Sequence, residues 1–155
     1  MIKTYGEEKK IPGNAEWFGW KEDLDVKYAH KLLFGKSISE VIKHFDRSPI
    51  ERADELLFMP RKAFQYYIFA FTEYLNSNDA IGASDAASPF LRLLIAREKR
   101  DPGSVMEIYE ELFPTINFVA QNQARFDANP DIYGHFEDLA RELDEAYKKY
   151  QGKGA

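Results

Sequence analysis

The chain has 155 residues, of which 45% are hydrophobic and 30% are charged, a composition typical of one globular domain. It contains no cysteine, which excludes disulfides and thiolate chemistry and favours a reducing, cytoplasmic compartment. The net charge is -5 and no basic face is evident, so we expect no nucleic-acid partner.

The chain begins with residues 1–15, which are rich in Lys, Glu, Gly and Pro and predict an irregular arm rather than a secretory signal. Next comes the segment EWFGW, from Glu16 to Trp20. Its two tryptophans and its phenylalanine either seal the edge of the core or form a surface anchor for a partner. No later run approaches the roughly 18 apolar residues that cross a bilayer, so we expect no membrane partner.

Capping signals mark a series of helices after this segment. Ser37 with Glu40 and Ser48 with Glu51 have the spacing of a capping box, Pro49 stands at a first helical position, and Gly35 ends the preceding apolar pattern. Similar start signals occur at Ser88, at Ser104 with Glu107, and at Asn129. The signals predict helices near 23–34, 38–46, 49–58, 61–76, 89–100, 105–126 and 130–150.

These helix start and stop signals also predict the fold class. Pro114 interrupts the sixth predicted helix and either kinks it or starts a new helix after Phe113. Alternating β-branched runs between turn signals are missing, so the sequence predicts no strand. We therefore predict one all-α domain over 1–155, a bundle of six to eight helices around a central aromatic helix at about 61–76, with residues 151–155 as a frayed tail.

The central helix is apolar nearly all round, since six of the sixteen residues from Pro60 to Leu75 are aromatic. A helix of this kind is typically buried among others. The alternative is a small-ligand pocket beside it, with Tyr66, Tyr67 or His44 as polar groups. The flanking helices have narrower apolar stripes that predict one-sided packing onto the centre: Leu24, Tyr28 and Leu32 in the first, and Ile132, Phe136, Leu139, Leu143, Ala146 and Tyr150 in the last.

Catalytic and metal-binding patterns are missing from the sequence. The three histidines form neither H-x-x-x-H nor H-E-x-x-H, and the His135–Asp138 pair is better explained as a solvated salt link. No nucleophile elbow or phosphate-binding loop occurs, and the helical carboxylates lie opposite the apolar stripes. We expect no catalytic residues, no metal site and no cofactor, and the enzymatic alternative stays open only through the pocket described above.

The most distinctive charge pattern is near the C-terminus. Between Asp127 and Glu145 seven acids stand against one base, Arg141, which gives a local charge of -6. A coherent negative face steers a basic partner, whereas scattered surface acids only aid solubility. The predicted partner-binding residues are Asp131, Tyr133, Glu137, Asp138, Glu142, Asp144 and Glu145.

A small, cysteine-free, acidic and aromatic-rich helical chain without catalytic motifs resembles the immunity proteins that protect bacteria from polymorphic toxins. The resemblance lies in this overall profile and implies a non-enzymatic inhibitor, in which an acidic, tyrosine-bearing face occludes the cationic cleft of a basic toxin domain. Two alternatives stay open: a small-ligand-binding protein or enzyme with a pocket beside the aromatic helix, and a self-associating homo-oligomer.

Overall fold

A computed structural model describes residues 9–153, and within that range the chain is an all-α bundle without β-strands. Its eight α-helices are α1 Leu24–Leu33, α2 Ile38–Arg47, α3 Pro49–Phe58, α4 Arg61–Leu75, α5 Ser84–Arg100, α6 Tyr109–Gln121, α7 Pro130–Tyr133 and α8 Phe136–Lys153. Short 3₁₀ turns lie at Asn78–Ala80, Met106–Ile108 and Gln123–Phe126. The predicted helical bundle is confirmed. Residues 1–8 of the predicted arm and 154–155 of the predicted tail lie outside the described residues.

Helix α4 is the predicted central helix. Of its 15 residues, 12 are buried, and it packs against α2, α3, α5 and α6. The Phe71 ring lies between Phe45 of α2 and Phe90 of α5, with centroid distances of 4.9 and 5.3 Å. Neighbours on several sides require apolar side chains on several sides, which explains the aromatic composition of this helix.

Two buried tyrosine hydroxyls of α4 hold the ends of neighbouring helices. The Tyr67 hydroxyl lies 2.7 Å from the Leu33 carbonyl oxygen and 2.8 Å from that of Lys36, at the C-terminal end of α1. The Tyr66 hydroxyl accepts the backbone N–H of Ile38, the first residue of α2, at 3.1 Å. These bonds satisfy groups that the helix ends cannot pair internally. Burial raises the pKa of both phenols, so they stay protonated at neutral pH.

A buried arginine on α5 closes the C-terminal end of α3. Arg97 is 3% exposed, and its guanidinium lies 4.7 Å from the centroid of the Phe64 ring. Its Nη1 donates to three carbonyl oxygens, those of Met59 at 2.6 Å, Leu57 at 2.9 Å and Leu56 at 3.3 Å. The last carbonyls of a helix have no partner within the helix, so this side chain replaces water there.

The loop after α5 is fastened by two carboxylates. Asp101 accepts Arg61 Nη2 at 2.6 Å and Nε at 3.1 Å, and it also lies 3.3 Å from Arg97 Nη2. Glu98 accepts three backbone N–H groups, those of Gly103, Val105 and Met106. Gly103 has a φ of +98°, and a Cβ there would lie 3.2 Å from Arg61 Nη1, so both conformation and space favour glycine.

The predicted helix starts are confirmed where the cap is local. The Ser37 hydroxyl accepts the Glu40 N–H while the Glu40 carboxylate accepts the Ser37 N–H, and the Asn129 side chain caps α7. Ser48 precedes α3 as predicted, but the expected capping box with Glu51 is wrong, because the Ser48 side chain makes no cap bond. The expected capping box at Ser104 is wrong, because its hydroxyl is buried 3.2 Å from Arg97 Nε.

Three predicted helices have different bounds. Helix α5 begins five residues before Pro89, because Ala86 and Ala87 are fully buried and add a turn, which places Ser88 inside the helix. The predicted helix 105–126 is α6 flanked by two 3₁₀ turns, and α6 runs across Pro114 without a break. Residues 130–150 are divided into α7 and α8 at Gly134, which has a φ of +76°.

The predicted packing face of α1 is wrong. Leu24 and Tyr28 are exposed, and the buried stripe consists of Val26, Ala29 and Leu33. Both sets have helical spacing, but the smaller side chains of the second set allow α1 to approach α3 closely. An apolar stripe of α1 is therefore left facing solvent.

The tryptophan segment before α1 seals the core in part. Trp17 is fully buried against Tyr67 and His30, and Trp20 is half-buried. Phe18, between them, is exposed. Trp17 therefore seals the edge of the core, and Phe18 lies on the surface, so the segment shows both of the alternatives that the sequence left open.

Candidate functional site

The seven predicted partner-binding residues lie on α7 and α8. Asp131 is exposed, and Tyr133 is half-buried with its hydroxyl 3.2 Å from Ser84 Oγ. Helix α8 buries Phe136 and Leu143 and packs on α5 and α6. Of the remaining predicted residues, Asp144 is half-buried beside Tyr109, and four are exposed: Glu137, Asp138, Glu142 and Glu145.

These acids are spread around α8 rather than gathered at one point. Glu142 lies on the side facing α5 and Asp144 on the side facing α6, because residues two apart point in different directions on a helix. Three of the acids form ion pairs: Asp138 with Arg141 at 2.9 Å, Glu142 with Lys99 at 3.9 Å, and Asp144 with Lys148 at 3.1 Å. Ion pairs at the surface contribute little to stability, but they reduce the local negative field.

A groove lies where the second half of α8 meets α6 and the loop after α5. Its first part is a cavity of about 350 Å³ lined by Met106, Glu107, Ile108, Glu110, Glu111, Tyr147 and Tyr150. Its second part is a cavity of about 740 Å³ lined by Glu98, Pro102, Gly103, Ala146, Lys149, Tyr150, Gln151 and Lys153. Tyr150 lines both parts, and we call the whole surface the tyrosine groove.

Stacked aromatic rings form one wall of this region. The Tyr109 and Tyr147 rings stack at a centroid distance of 4.4 Å, and Tyr150 continues the row at 6.5 Å from Tyr147. Phe113 lies 6.0 Å from Tyr109 at the other end, and it is exposed, as is Tyr150. Tyr109 is buried, so the accessible part of the row consists of Tyr147, Tyr150 and Phe113, and exposed aromatic rings of this kind are typical of protein-binding surfaces.

Carboxylates line the first part of the groove. Glu107 is held by Arg61 at 3.1 Å and by Gln65 at 2.8 Å, so it is positioned from α4. Glu110 accepts the Tyr147 hydroxyl at 2.8 Å. An aromatic wall beside carboxylates matches the chemistry of a Lys or Arg side chain, whose charge pairs with the acids and whose cation interacts with the rings.

One carboxylate of the groove, Glu111, already binds an ammonium group of the chain itself, from outside the groove. Lys9 Nζ lies 2.9 Å from Glu111 Oε2, and the same nitrogen is 4.8 Å from the centroid of the Phe69 ring. Both side chains of the ion pair are partly exposed, with 27% and 36% of their areas accessible. The acidic wall is therefore open to a cation that approaches from outside.

The tyrosine hydroxyls beside the groove stay protonated at neutral pH. Burial, with the negative charge of Asp144, raises the pKa of Tyr109 to about 12. The hydrogen bond to Glu110 raises the pKa of Tyr147. Neutral phenols beside carboxylates act as hydrogen-bond donors, and they add no negative charge of their own.

The two tyrosine hydroxyls proposed for a pocket beside α4 have other partners. The hydroxyls of Tyr66 and Tyr67 are bonded to backbone groups, and burial lowers the pKa of half-buried His44, with nearby cations adding to the effect. A small cavity of about 240 Å³ does lie at the start of α4, lined by Lys9, Lys10, Pro12, Glu16, Lys62, Gln65 and Tyr66. Within residues 9–153, no three His, Asp or Glu side chains group as metal ligands, and no helix has the length and apolarity to cross a bilayer.

Sequence reasoning missed the tyrosine groove. Tyr147 and Tyr150 are three residues apart on α8, which is a visible signal for a shared face. Their stacking on Tyr109 and the approach of Lys9 to Glu111 join distant parts of the chain, and no local pattern reports them.

Compared with protein-family models, curated proteins and solved structures, the chain has no significant match.

Proposed function

We propose that the protein is a non-enzymatic protein-binding module, an immunity-type inhibitor that occludes the basic surface of a toxin domain. The contact surface in this proposal is the tyrosine groove together with the acids of α8 beside it. The observation that carries the proposal is the ion pair of Lys9 with Glu111 at the edge of an aromatic wall. A basic side chain of a partner would find Glu111 and the neighbouring carboxylates beside the tyrosine rings of the groove, whereas Lys9 itself contacts the ring of Phe69.

The arrangement of the surface suits this role. Stacked tyrosines bury large area with little loss of conformational freedom, and acids at the rim steer a basic partner toward them. Asp131, Glu137 and Glu145 have no ion pair among the described residues, so their charge is available for steering. Glu110 and Tyr147, held together by a hydrogen bond, need little rearrangement on binding.

The first experiment is capture of the partner. The tagged protein is expressed in its native host, and proteins that co-purify at near-equal amount are identified at low and at raised salt. We expect a basic toxin or nuclease domain whose recovery falls as salt rises, because surface charge pairs are screened by ions. Recovery of no protein at either salt concentration would refute the proposal.

Substitutions then locate the surface with the purified partner. Tyr150→Ala removes an exposed ring of the groove, and we expect at least roughly thirtyfold weaker binding if it is a hot spot. Glu142→Lys with Glu145→Lys tests the steering acids and should mainly slow association. The matched control carries the same change of charge away from the groove, in Asp54→Lys with Asp79→Lys. Equal effects of the control and the α8 pair would refute the assignment of this face.

Lys9→Ala tests whether the acidic wall of the groove binds a partner or has only a structural role. Because Lys9 neutralises Glu111, its removal should strengthen binding of a partner whose cation uses that carboxylate. The measurement is isothermal titration calorimetry with the same partner. Unchanged or weaker binding would show that the partner's charge does not replace Lys9.

A further inference from the structure

A second surface, remote in sequence from the tyrosine groove, has unusual exposure of apolar side chains. Phe18 and Leu24 are each 84% exposed, Tyr28 is 64% exposed and Phe34 is 38% exposed. Leu24 and Tyr28 are one helical turn apart on the outward side of α1, while Val26, Ala29 and Leu33 face the core. Leu24 and Tyr28 form the outward face of α1, with Phe18 before it and Phe34 at its end, and large exposed apolar side chains of this kind are typical of an interface.

The aromatic part of this surface is rigid. The His30 ring is sandwiched between Trp20 at 3.8 Å, with the two planes 2° apart, and Phe34 at 4.4 Å. The buried Trp17 ring meets His30 edge-on at 5.3 Å. Rings already fixed by stacking lose little freedom when a partner covers them, so they suit binding without rearrangement.

The charges on this surface are ordered along α1. The acids lie just before the helix and in its first turn, and lysines follow them along the helix and just after it, while Lys21 precedes the acids. The acids are Glu22, Asp23 and Asp25, and the lysines are Lys27, Lys31 and Lys36. With Lys21 included, four lysines and three acids give a local charge of +1 on a chain whose net charge is -5. Two copies that approach each other through this surface therefore avoid the electrostatic repulsion expected between the acidic surfaces of the chain.

We propose that this surface is the isologous interface of a homodimer, with the α1 helices of two copies packed antiparallel. In that arrangement the acidic start of one helix lies opposite the basic end of the other, and the two-fold axis repeats the pairing. At the centre of the interface, Leu24 and Tyr28 of one copy then pack against Leu24 and Tyr28 of the other copy. This inference is independent of the proposed partner and of the tyrosine groove.

The area fits a reversible dimer. The four apolar side chains present roughly 500 Å², given 150–250 Å² for a fully buried aromatic side chain. A standard interface covers about 800 Å² on each partner, so the charged rim must supply the remainder. We expect dissociation in the micromolar range or above, because part of the contact is solvated charge.

Sedimentation velocity from micromolar to submillimolar concentration tests the proposal. The wild-type protein should shift from monomer to dimer, while Leu24→Glu with Tyr28→Glu should stay monomeric across the range. Both substituted side chains are exposed, so folding should be kept, and circular dichroism checks it. Ile50→Glu, at an exposed apolar position on α3, is the control and should dimerise like the wild type.

Charge reversal tests the orientation. The variant Glu22→Lys with Asp25→Lys keeps Asp23 as an acid but carries a large excess of bases on this surface, and the variant Lys27→Glu with Lys31→Glu keeps Lys21 and Lys36 but carries an excess of acids. Neither should dimerise alone, and a mixture of the two should form a heterodimer. A wild-type protein that stays monomeric at every concentration would refute the dimer, leaving this surface to residues 1–8 or to another protein. Homodimers formed equally by both variants would refute the charge pairing.

Discussion

Replacement of Arg97 by methionine is the most direct test of how the bundle is held together. Methionine keeps an unbranched side chain against Phe64 but removes every donor of the guanidinium. The carbonyl oxygens of Leu56, Leu57 and Met59 then lose their partner at the end of α3. Asp101 keeps its two bonds to Arg61 and is less affected.

The expected loss of stability is large. Hydrogen bonds to a charged group contribute about 1.5–3 kcal/mol each, although bonds that share one group are not additive. Buried carbonyl oxygens left without a donor cost about 1–3 kcal/mol each, so we expect Arg97→Met to cost about 3–5 kcal/mol in total. At roughly 2–4 °C per kcal/mol for a chain of this size, the Tm should fall by about 6–20 °C.

The assay is urea unfolding followed by circular dichroism, with the free energy of unfolding compared at equal m-value. Arg100→Met is the matched control, since Arg100 is an exposed arginine of the same helix, 4.5 Å from the Phe58 ring centroid. Its loss should cost about 1 kcal/mol or less. If Arg97→Met costs no more than Arg100→Met, the carbonyls of α3 do not depend on the guanidinium and the reasoning is wrong.

Three further predictions concern local features. Ser37→Ala should cost about 1 kcal/mol in urea unfolding because it breaks the capping box, whereas Ser48→Ala should cost under about 0.5 kcal/mol because Ser48 makes no cap bond; equal losses would contradict this. Gly103→Ala should cost about 1–2 kcal/mol at its positive φ, whereas Gly152→Ala, with open space around it, should be neutral or slightly stabilising by thermal unfolding. Burial raises the pKa of Glu55 above 4.5, so the charged carboxylate is disfavoured in the folded state. As the pH rises from about 4 toward neutrality, the wild type should therefore lose stability relative to Glu55→Gln. A difference in unfolding free energy between the two proteins that does not change with pH would contradict the raised pKa.

Features with a local cause could be predicted from the sequence. The capping box at Ser37 depends on residues three apart, and the aromatic composition of α4 reports burial on all sides. The bounds of α5 were misjudged because the proline at position 89 looked like a helix start. Buried Ala86 and Ala87 override that signal, and only the packing of the bundle shows that they are buried.

Features that join distant residues could not be predicted. On α1, two stripes share the helical period, and the choice of Val26, Ala29 and Leu33 as the inner one depends on the shape of α3. The tyrosine groove depends on stacking of Tyr109 on Tyr147 across two helices. The acidic segment of α8 was visible as a composition, but its ion pairs to α5 and within the helix were not.

The guanidinium that closes α3 also has a consequence for the growing chain. Arg97 follows Met59 by 38 residues, so the end of α3 has no partner there until α5 has been synthesised. During translation the first three helices therefore leave the ribosome with that end open to water and prone to fraying. In the finished protein, amide hydrogens in the last turn of α3 should exchange together with those around Arg97. The two helices then open as one cooperative unit, although a loop and the whole of α4 separate them in the chain.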